Sequence, residues 1–408
     1  MSGIIDFIGG APVVIALVKA VVSFGLLLNT LIFLIWAERR ILGDMQARIG
    51  PNRWGPAGLL QTVADGIKLI LKEDFRPRAA DRWTFALAPV VATVTSILAF
   101  AVIPIGDHIT IGDRRVDLVV ADLNVGVLYF LAMGSIGVYG IVLAGWSSGS
   151  KYPLLGGIRS SAQMISYEIA LGLSLVPVVL ATGSLSMLDI VAAQSENVRN
   201  VTFFDGVPVL EQVAHLFEYV PNWYIWSQWP AFFIFLVAGL AETNRAPFDL
   251  PEAETELVAG YHTEYSGARF MLFYLGEYVH IIVIAGGAVT LFFGGWDGPV
   301  FGFLPWVWPM IWFLLKTALF LYLFIWIRGT LPRLRYDRLM WLGWKRLIPA
   351  ALVWIIVTAV VNTDGVSRNW RLGVFGVLGL IIILWVGRGD PRLSQAFTPQ
   401  RRLSRGAT

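Results

Sequence analysis

Nine stretches of this chain stay apolar over roughly the 20 residues that a helix needs to cross about 30 Å of hydrocarbon. They lie near 12–36, 84–104, 124–146, 163–183, 228–242, 270–295, 303–328, 347–362 and 372–388, the fifth and eighth being short. Such a pattern leaves few folds open. A bilayer core offers no water to free backbone N–H and C=O groups, so each long apolar segment has to be a helix. Charged residues make up 14% of the chain, where a soluble domain carries about 25%, so lipid rather than water has to solvate most of the surface. The expected fold is an all-α polytopic membrane protein with about nine transmembrane helices. It would form a single integral membrane domain over 1–388, followed by a flexible basic tail over 389–408. No Lys or Arg precedes the first span, unlike the basic start of a cleavable signal peptide, and no internal repeat or low-complexity tract is visible.

Several classes of function are excluded. The net charge of +3 is small and scattered, without the concentrated basic face that nucleic-acid binding requires. Cysteine is absent, which rules out disulfides, thiolate-held zinc and an iron–sulfur cluster bound by this chain. Four scattered histidines leave little for haem or copper, and no metal site is expected. There is no G-x-x-x-x-G-K-[ST] phosphate loop, no G-x-G-x-x-G, no H-E-x-x-H and no G-x-S-x-G. Any redox chemistry has to borrow its electrons from a partner.

Orientation follows from the basic residues, which collect in cytoplasmic loops. Of the 31 Lys and Arg residues, 24 fall after spans one, three, five and seven or in the C-terminal tail, and five fall after the even-numbered spans. This places the N-terminus outside and the C-terminus in the cytoplasm. Trp223, Trp226, Trp229, Trp306 and Trp308 cluster near the predicted outer span ends, where indole rings favour the interface.

The first cytoplasmic loop opens with Ala37-Glu38-Arg39-Arg40 and contains a segment unlike a span. Between Pro56 and Glu73, Leu59, Leu60, Val63, Ala64, Ile67, Ile70 and Leu71 fall within about 140° of one helix face. Gln61, Asp65, Lys68 and Lys72 share an arc of about 60° on the other side. An amphipathic helix lying in the membrane interface is predicted. Its polar side reads either as a solvated face with an i,i+3 ion pair or as a wall for something passing between this helix and the spans. The turn-rich connector Arg48–Pro56 orients it. In span three, Gly140 and Ala144 have the small-x-x-x-small spacing of close helix packing.

Charges inside spans are costly unless they face protein or water, and four occur: Lys19, Glu168, Glu277 and Lys316. Lys19, near an outer end, is expected to snorkel, whereas Lys316 lies near the middle of span seven. Glu168 and Glu277 fall in the inner half, with His280 one turn beyond Glu277. The loop between spans five and six carries Glu242, Asp249, Glu252, Glu254, Glu256 and Glu264 against only Arg245 and Arg269. Pro251 at a helix start, with Glu252 and Glu254 on its dipole, accounts structurally for two of the six acids. Closely spaced carboxylates also raise one another's pKa and share protons, as a relay requires.

These residues carry a specific resemblance. Glu38-Arg39-Arg40, then Gln46 to Arg53, then Gln61, Asp65-Gly66, Lys68 and Lys72-Glu73 resemble the first loop of the H-type membrane subunit of proton-pumping NADH:quinone oxidoreductase, respiratory complex I. Gly145 to Ser148, Lys151-Tyr152, Arg159 and Ala162 to Glu168 are similar to its second cytoplasmic motif. Ala241 to Glu254, continuing through Glu256 to Tyr261 and Glu264-Tyr265, resemble its acidic loop almost letter for letter. Pro332 to Asp337, Leu339-Met340 and Trp344-Lys345 resemble the loop after span seven. The likeness covers about residues 30–350. It departs in the outer loop 184–227, which is longer than the family needs, and in the tail 388–408.

The resemblance implies a subunit at the joint between a redox arm and a membrane arm, with quinone as substrate and no iron–sulfur cluster, flavin or haem in this chain. Arg39, Arg48, Arg53, Asp65, Lys68, Arg333 and Arg335 would line or support the quinone path. Glu168, Glu242, Asp249, Glu252, Glu254, Glu256, Glu264 and Glu277 would begin the carboxylate line that couples quinone reduction to pumping. The implied partners are peripheral-arm subunits holding the terminal iron–sulfur cluster and the head-group site, small membrane subunits leading to antiporter-like ones, and lipid. The implied location is the inner (cytoplasmic) membrane. Two other readings stand beside this one. The first is the homologous membrane subunit of an energy-converting hydrogenase, against which the complete Glu242–Tyr265 block weighs. The second is a stand-alone ion transporter, whose usual inverted repeats and broken helices are not seen in the sequence.

Overall fold

A computed structural model describes residues 12–111, 114–195, 222–249, 258–300, 306–362 and 368–387. The chain is an all-α polytopic membrane protein. Its helices are α1 (Pro12–Met45), α2 (Gln61–Leu71), α3 (Arg82–Phe100), α4 (Gly126–Ser147), α5 (Lys151–Thr182), α6 (Met187–Ser195), α7 (Tyr224–Ser227) and α8 (Trp229–Glu242). They continue with α9 (Gly267–Phe292), α10 (Val307–Thr330), α11 (Tyr336–Leu342), α12 (Ile348–Val361) and α13 (Arg368–Gly387). Between α3 and α4, β1 (His108–Ile111) pairs antiparallel with β2 (Arg114–Asp117), His108 opposite Asp117. Among the described residues seven helices are long and apolar enough to cross a membrane, and two shorter apolar helices, Trp229–Glu242 and Gly373–Gly387, coincide with the fifth and ninth expected spans.

Three boundaries differ from the sequence expectation, each for a physical reason. Helix α1 does not stop at 36 but runs on to Met45, and α5 starts at Lys151 rather than 163. An apolar window ends where the hydrocarbon ends, whereas backbone hydrogen bonding continues for as long as side chains find partners. The eighth span is not short either: Tyr336–Val361 forms one continuous 26-residue helical run, in which a π-turn over Gly343–Leu347 joins α11 to α12. Pro349, at the start of α12, would press its ring against the carbonyl four residues back, and the wider turn relieves that clash.

Helix α9 is the centre of the bundle. From Tyr278 to Phe292, apart from His280, every residue is buried, the pattern of a helix covered by protein on all sides. Small residues let its neighbours approach. A Cβ on Gly276 would lie 3.3 Å from Thr93 of α3, and one on Gly239 of α8 would lie 2.7 Å from Ile284. Gly140 has the close-packing role its spacing suggested, since a Cβ there would sit 2.8 Å from the backbone of Ala92. Lys316 does not stay at mid-span. Its Nζ donates to the carbonyls of Phe293 (2.8 Å), Gly295 (3.1 Å) and Asp297 (2.6 Å) and covers the Trp223 ring, capping the end of α9.

The loops after odd-numbered spans meet at one end of the bundle. Asp81 N–H donates to Ser147 O (3.1 Å), Phe75 N–H to Ser266 Oγ (3.1 Å) and Leu334 N–H to Pro247 O (2.9 Å). At the opposite end, Gln194 of α6 accepts from Gly294 N–H (3.0 Å) and Tyr224 N–H (3.1 Å) and donates to Thr290 O (3.0 Å), tying α6, α7 and α9 together.

Candidate functional site

Where the odd loops meet, ionisable side chains line up through the bundle. Glu38 projects from the buried face of α1, on the same stripe as Leu27, Leu31, Leu34 and Ile35. It accepts hydrogen bonds from Arg328, in the last turn of α10, and from Tyr278 Oη of α9 (2.5 Å). Arg245, just past α8, is buried and lies over the Tyr278 ring at 4.2 Å. One of its terminal nitrogens is 3.8 Å from Glu38 Oε1, and the other is 3.8 Å from Glu277 Oε2. The other oxygen of Glu277 accepts from Tyr261 Oη (3.2 Å) and faces His262 Nε2 at 3.6 Å. One turn along α9, His280 Nε2 lies 3.4 Å from Glu242 Oε1 at the end of α8. Helix α4 carries the row further: a Cβ on Gly134 would lie 2.9 Å from Glu242 Oε1, and the adjacent Ser135 donates to Glu168 of α5.

Two cavities follow this row. One, of about 40 Å³, is lined by Gly134, Gly137, Glu242, Glu277 and His280 among others. The second, of about 20 Å³, is lined by Glu38, Arg245, Tyr278 and Arg328 with apolar neighbours. One water needs about 10–15 Å³ of such space, so the first has room for a few waters and the second for about one. Glu242 Oε2, Arg245 Nε and Nη2, both ring nitrogens of His262 and His280 Nε2 are buried without a hydrogen-bond partner among the described residues. Buried polar atoms in that condition take up ordered water. A carboxylate row with hydroxyls, imidazoles and room for water is chemically suited to moving protons, not to covalent catalysis.

A second cluster lies outside the bundle. Arg39, the residue after Glu38, points about 100° away from it around α1 and donates to Asp65 Oδ2 of α2, while Gln61 Nε2 donates to Asp65 Oδ1 (3.0 Å). Partial burial pushes the Asp65 carboxyl up, but the Arg39 and Gln61 hydrogen bonds outweigh it and hold the group below the usual aspartate range. No residue of α2 is buried, and Leu60, Val63, Ile67, Ile70 and Leu71 are exposed, leaving the apolar face open.

The family model described as NADH dehydrogenase matches residues 18–359. The chain belongs to that family. It is 54% identical over 346 residues to an H-type subunit of NADH-quinone oxidoreductase from Geobacter metallireducens, covering 85% of this chain and 96% of that protein. It is 51% identical over 352 residues to the H-type subunit from Thermomicrobium roseum, covering 86% and 95%. Against the H-type subunit from Frankia alni it is 47% identical over 385 residues, covering 92% and 80%. As a member of the NADH dehydrogenase family, the protein is a subunit of an oxidoreductase complex.

The expected site residues fall into separate places. Glu168, Glu242 and Glu277 join the buried row. Asp249 does not: its Oδ2 accepts from Arg333 Nη2 at 2.6 Å, which ties the acidic loop to the segment after α10. Glu264 is half-buried beside the 3₁₀ turn Gly260–His262, and Glu252, Glu254 and Glu256 lie outside the described residues. Arg39 and Asp65 form the second cluster, with Lys68 exposed one turn on. Arg48 donates to Gln46 Oε1 (2.7 Å) and lines an open hollow of about 350 Å³ with Arg40 and Asn52. Arg53 is exposed, as is Arg335, 3.4 Å from Asp337. Among the described residues no group of His, Asp and Glu is arranged to hold a metal ion.

Sequence reading missed Glu38, Arg328, Arg245, Tyr278 and His262 as members of the row. A signal for two of them was present. Glu38 continues the Leu27, Leu31, Leu34 spacing, and Arg328 continues Phe313, Thr317, Phe320 and Phe324, both on buried helix faces.

Proposed function

We propose that this chain is the membrane subunit of a proton-translocating NADH:quinone oxidoreductase that forms the membrane-side part of the quinone chamber. It passes the energy of quinone reduction to proton pumping through buried and loop carboxylates. The observation that carries this reading is the adjacency of Glu38 and Arg39. One residue faces the buried row, and its neighbour holds Asp65 at the edge of α2, so two consecutive positions on one helix touch both clusters.

Quinone reduction takes up electrons and protons. The electrons would come from the terminal iron–sulfur cluster of a peripheral-arm partner, and this chain supplies charge and shape around the head group. Arg39, Asp65 and Lys68, with Arg48 and Arg53 on the connector, would line or support the path, and Arg333 and Arg335 would face the arm. A change in head-group charge would be felt by Glu38 and then along the row. Unit charges about 4 Å apart interact by about 4 kcal/mol at an effective dielectric of about 20. Adding or removing one proton would therefore change the protonation of its neighbours by a large factor. Glu168, Glu242 and Glu277 would pass protons on, and Asp249, Glu252, Glu254, Glu256 and Glu264 would shape the loop end of the line. Small membrane subunits leading to antiporter-like ones would follow Glu168.

The membrane would be the inner (cytoplasmic) one, with the N-terminus outside, the basic tail 389–408 in the cytoplasm and residues 1–388 forming one integral domain. The high identity to several H-type subunits of NADH-quinone oxidoreductase supports this assignment over an energy-converting hydrogenase or a stand-alone transporter. Asp65→Ala or Lys68→Ala in the assembled complex tests the path: each should lower quinone reduction about tenfold, as expected when a contact worth about 1.4 kcal/mol is lost. NADH-to-ferricyanide transfer serves as the measure of assembly. Wild-type quinone kinetics in both variants would remove these residues from the path.

A further inference from the structure

Two of the four histidines of the chain stand in the buried row, each beside a different carboxylate: His262 by Glu277 at 3.6 Å and His280 by Glu242 at 3.4 Å. They reach these places from different elements. His262 ends the 3₁₀ turn Gly260–His262 and is boxed by Tyr261 (3.9 Å between ring centroids), Phe273 (5.3 Å) and Phe270 (5.5 Å). That turn is clamped, since a Cβ on Gly156 of α5 would lie 2.7 Å from Gly260. His280 projects from α9 into the larger cavity. Both ring nitrogens of His262 and the Nε2 of His280 are buried and without a hydrogen-bond partner among the described residues. An imidazole that served only as packing would cost free energy in that condition, whereas one that exchanges protons needs a free nitrogen.

We propose that His262 and His280 are proton-carrying members of the row, forming two histidine–carboxylate pairs with Glu277 and Glu242. This rests on reading the row as a proton path. In each pair the imidazolium Nε2–H bond breaks, an O–H bond forms on the facing carboxylate oxygen, and a charged pair becomes a neutral one; the reverse step reloads the imidazole. Both separations are slightly longer than a hydrogen bond, so transfer needs a shift of a few tenths of an ångström or one bridging water. His262 faces Glu277 and Tyr261, with Arg245 on the far oxygen of Glu277. His280 faces Glu242 and, across the cavity, Glu277, with Glu168 beyond Glu242. Arg245 and Arg328 hold their charge permanently, so among the basic groups of the row the imidazoles are the ones able to give up a proton. An isolated carboxylate is empty at neutral pH, so the pairs would matter most in alkaline solution.

His262→Asn, His280→Asn and the double variant test this in the intact complex in membrane vesicles, with rates normalised to the amount of assembled complex. Losing an acid–base group matched to the working pH costs at least about a hundredfold in strong cases, and a parallel carboxylate path softens that. Quinone reduction and proton translocation in the double variant should fall about tenfold at pH 8 and less than about twofold at pH 6. A packing role would lower both activities by the same factor at pH 6 and pH 8. An unchanged pH profile overturns the proposal. If the variants do not assemble, deuterium exchange at the imidazole C2 position of the wild-type complex, followed by mass spectrometry from pH 5 to 9, decides: a titration step at either histidine supports the proposal, and flat profiles at both overturn it. Glu277→Gln and Glu242→Gln separate the two failures. Wild-type pumping in those variants sinks the carboxylate path itself, whereas impaired glutamine variants beside normal asparagine variants sink only the histidine pairs.

Discussion

Glu277 has three polar neighbours, Arg245, His262 and Tyr261, all facing its carboxyl group, as many as Glu38 has in Arg328, Tyr278 and Arg245. A buried charge with that many partners can be a structural node, because removing one member of a buried pair typically costs 3–5 kcal/mol. Gln in its place separates the two roles, since it keeps size and hydrogen-bonding capacity but cannot change charge. If Glu277 exchanges protons, Glu277→Gln should cut quinone reduction and proton translocation in vesicles together by at least about tenfold, an acid–base effect, with a normal amount of assembled complex. Wild-type pumping stoichiometry and rate in that variant would leave Glu277 a structural group. Asp65 differs, because Arg39 and Gln61 hold its carboxyl below the usual range. The stabilisation its charge gives α2 is therefore fully present above the ordinary aspartate value of about 3.9 and fades only as pH falls further. Asp65→Asn should accordingly weaken quinone reduction by a factor that stays constant between pH 6 and 8, and a factor that varied over that range would contradict the lowered pKa.

Helix contacts set the distances on which the row depends, and glycine sets the helix contacts. Gly140 lets α4 lie against α3, with Ala92 backbone 2.8 Å from where its Cβ would be. Overpacking a tight contact costs about 1–3 kcal/mol, and here it would also move Gly134 and Ser135 relative to Glu242 and Glu168. Gly140→Val should lower the thermal stability of the purified complex and reduce coupling, whereas Gly66→Ala, on the open face of α2 with nothing within 4 Å, should not lower it. Equal stability of the two variants would show that α3 and α4 can separate at no cost. Legibility in sequence divides along the same line. Spans and the amphipathic α2 could be read because hydropathy and a 3.6-residue period act within one helix. Span ends could not be read so well, because the extension of α1 past residue 36 depends on Arg328 and Tyr278, which lie about 240 residues or more away in sequence. Glu277 and Glu168 stood out because a charge inside an apolar run is conspicuous, whereas Glu38 was hidden in a charged Glu-Arg-Arg sequence and only its helical spacing to Leu27, Leu31 and Leu34 places it inside.

The row and the α2 cluster sit at one end of the bundle, and the direction of any proton path depends on which side of the membrane that end faces. Helix packing fixes which loops lie together but is blind to sidedness, whereas the distribution of basic residues is not. With 24 of 31 Lys and Arg in the odd loops and the tail, the end bearing Glu38, Asp65 and Arg333 should face the cytoplasm, where a peripheral arm could dock and where protons would enter the row. The chain contains no cysteine, so a single introduced one is the sole thiol label on this subunit once it is resolved from its partners on a gel. Val300→Cys lies in the loop after α9 and Glu73→Cys in the loop after α2, both at exposed positions. In right-side-out vesicles a membrane-impermeant maleimide should label Val300→Cys and leave Glu73→Cys untouched, and inverted vesicles should reverse the pattern wherever no partner subunit covers Glu73. Labelling of Glu73→Cys from the outside, with Val300→Cys protected, would turn the subunit over, place the quinone path on the wrong side for a cytoplasmic arm, and remove the basis for proton entry at Glu38.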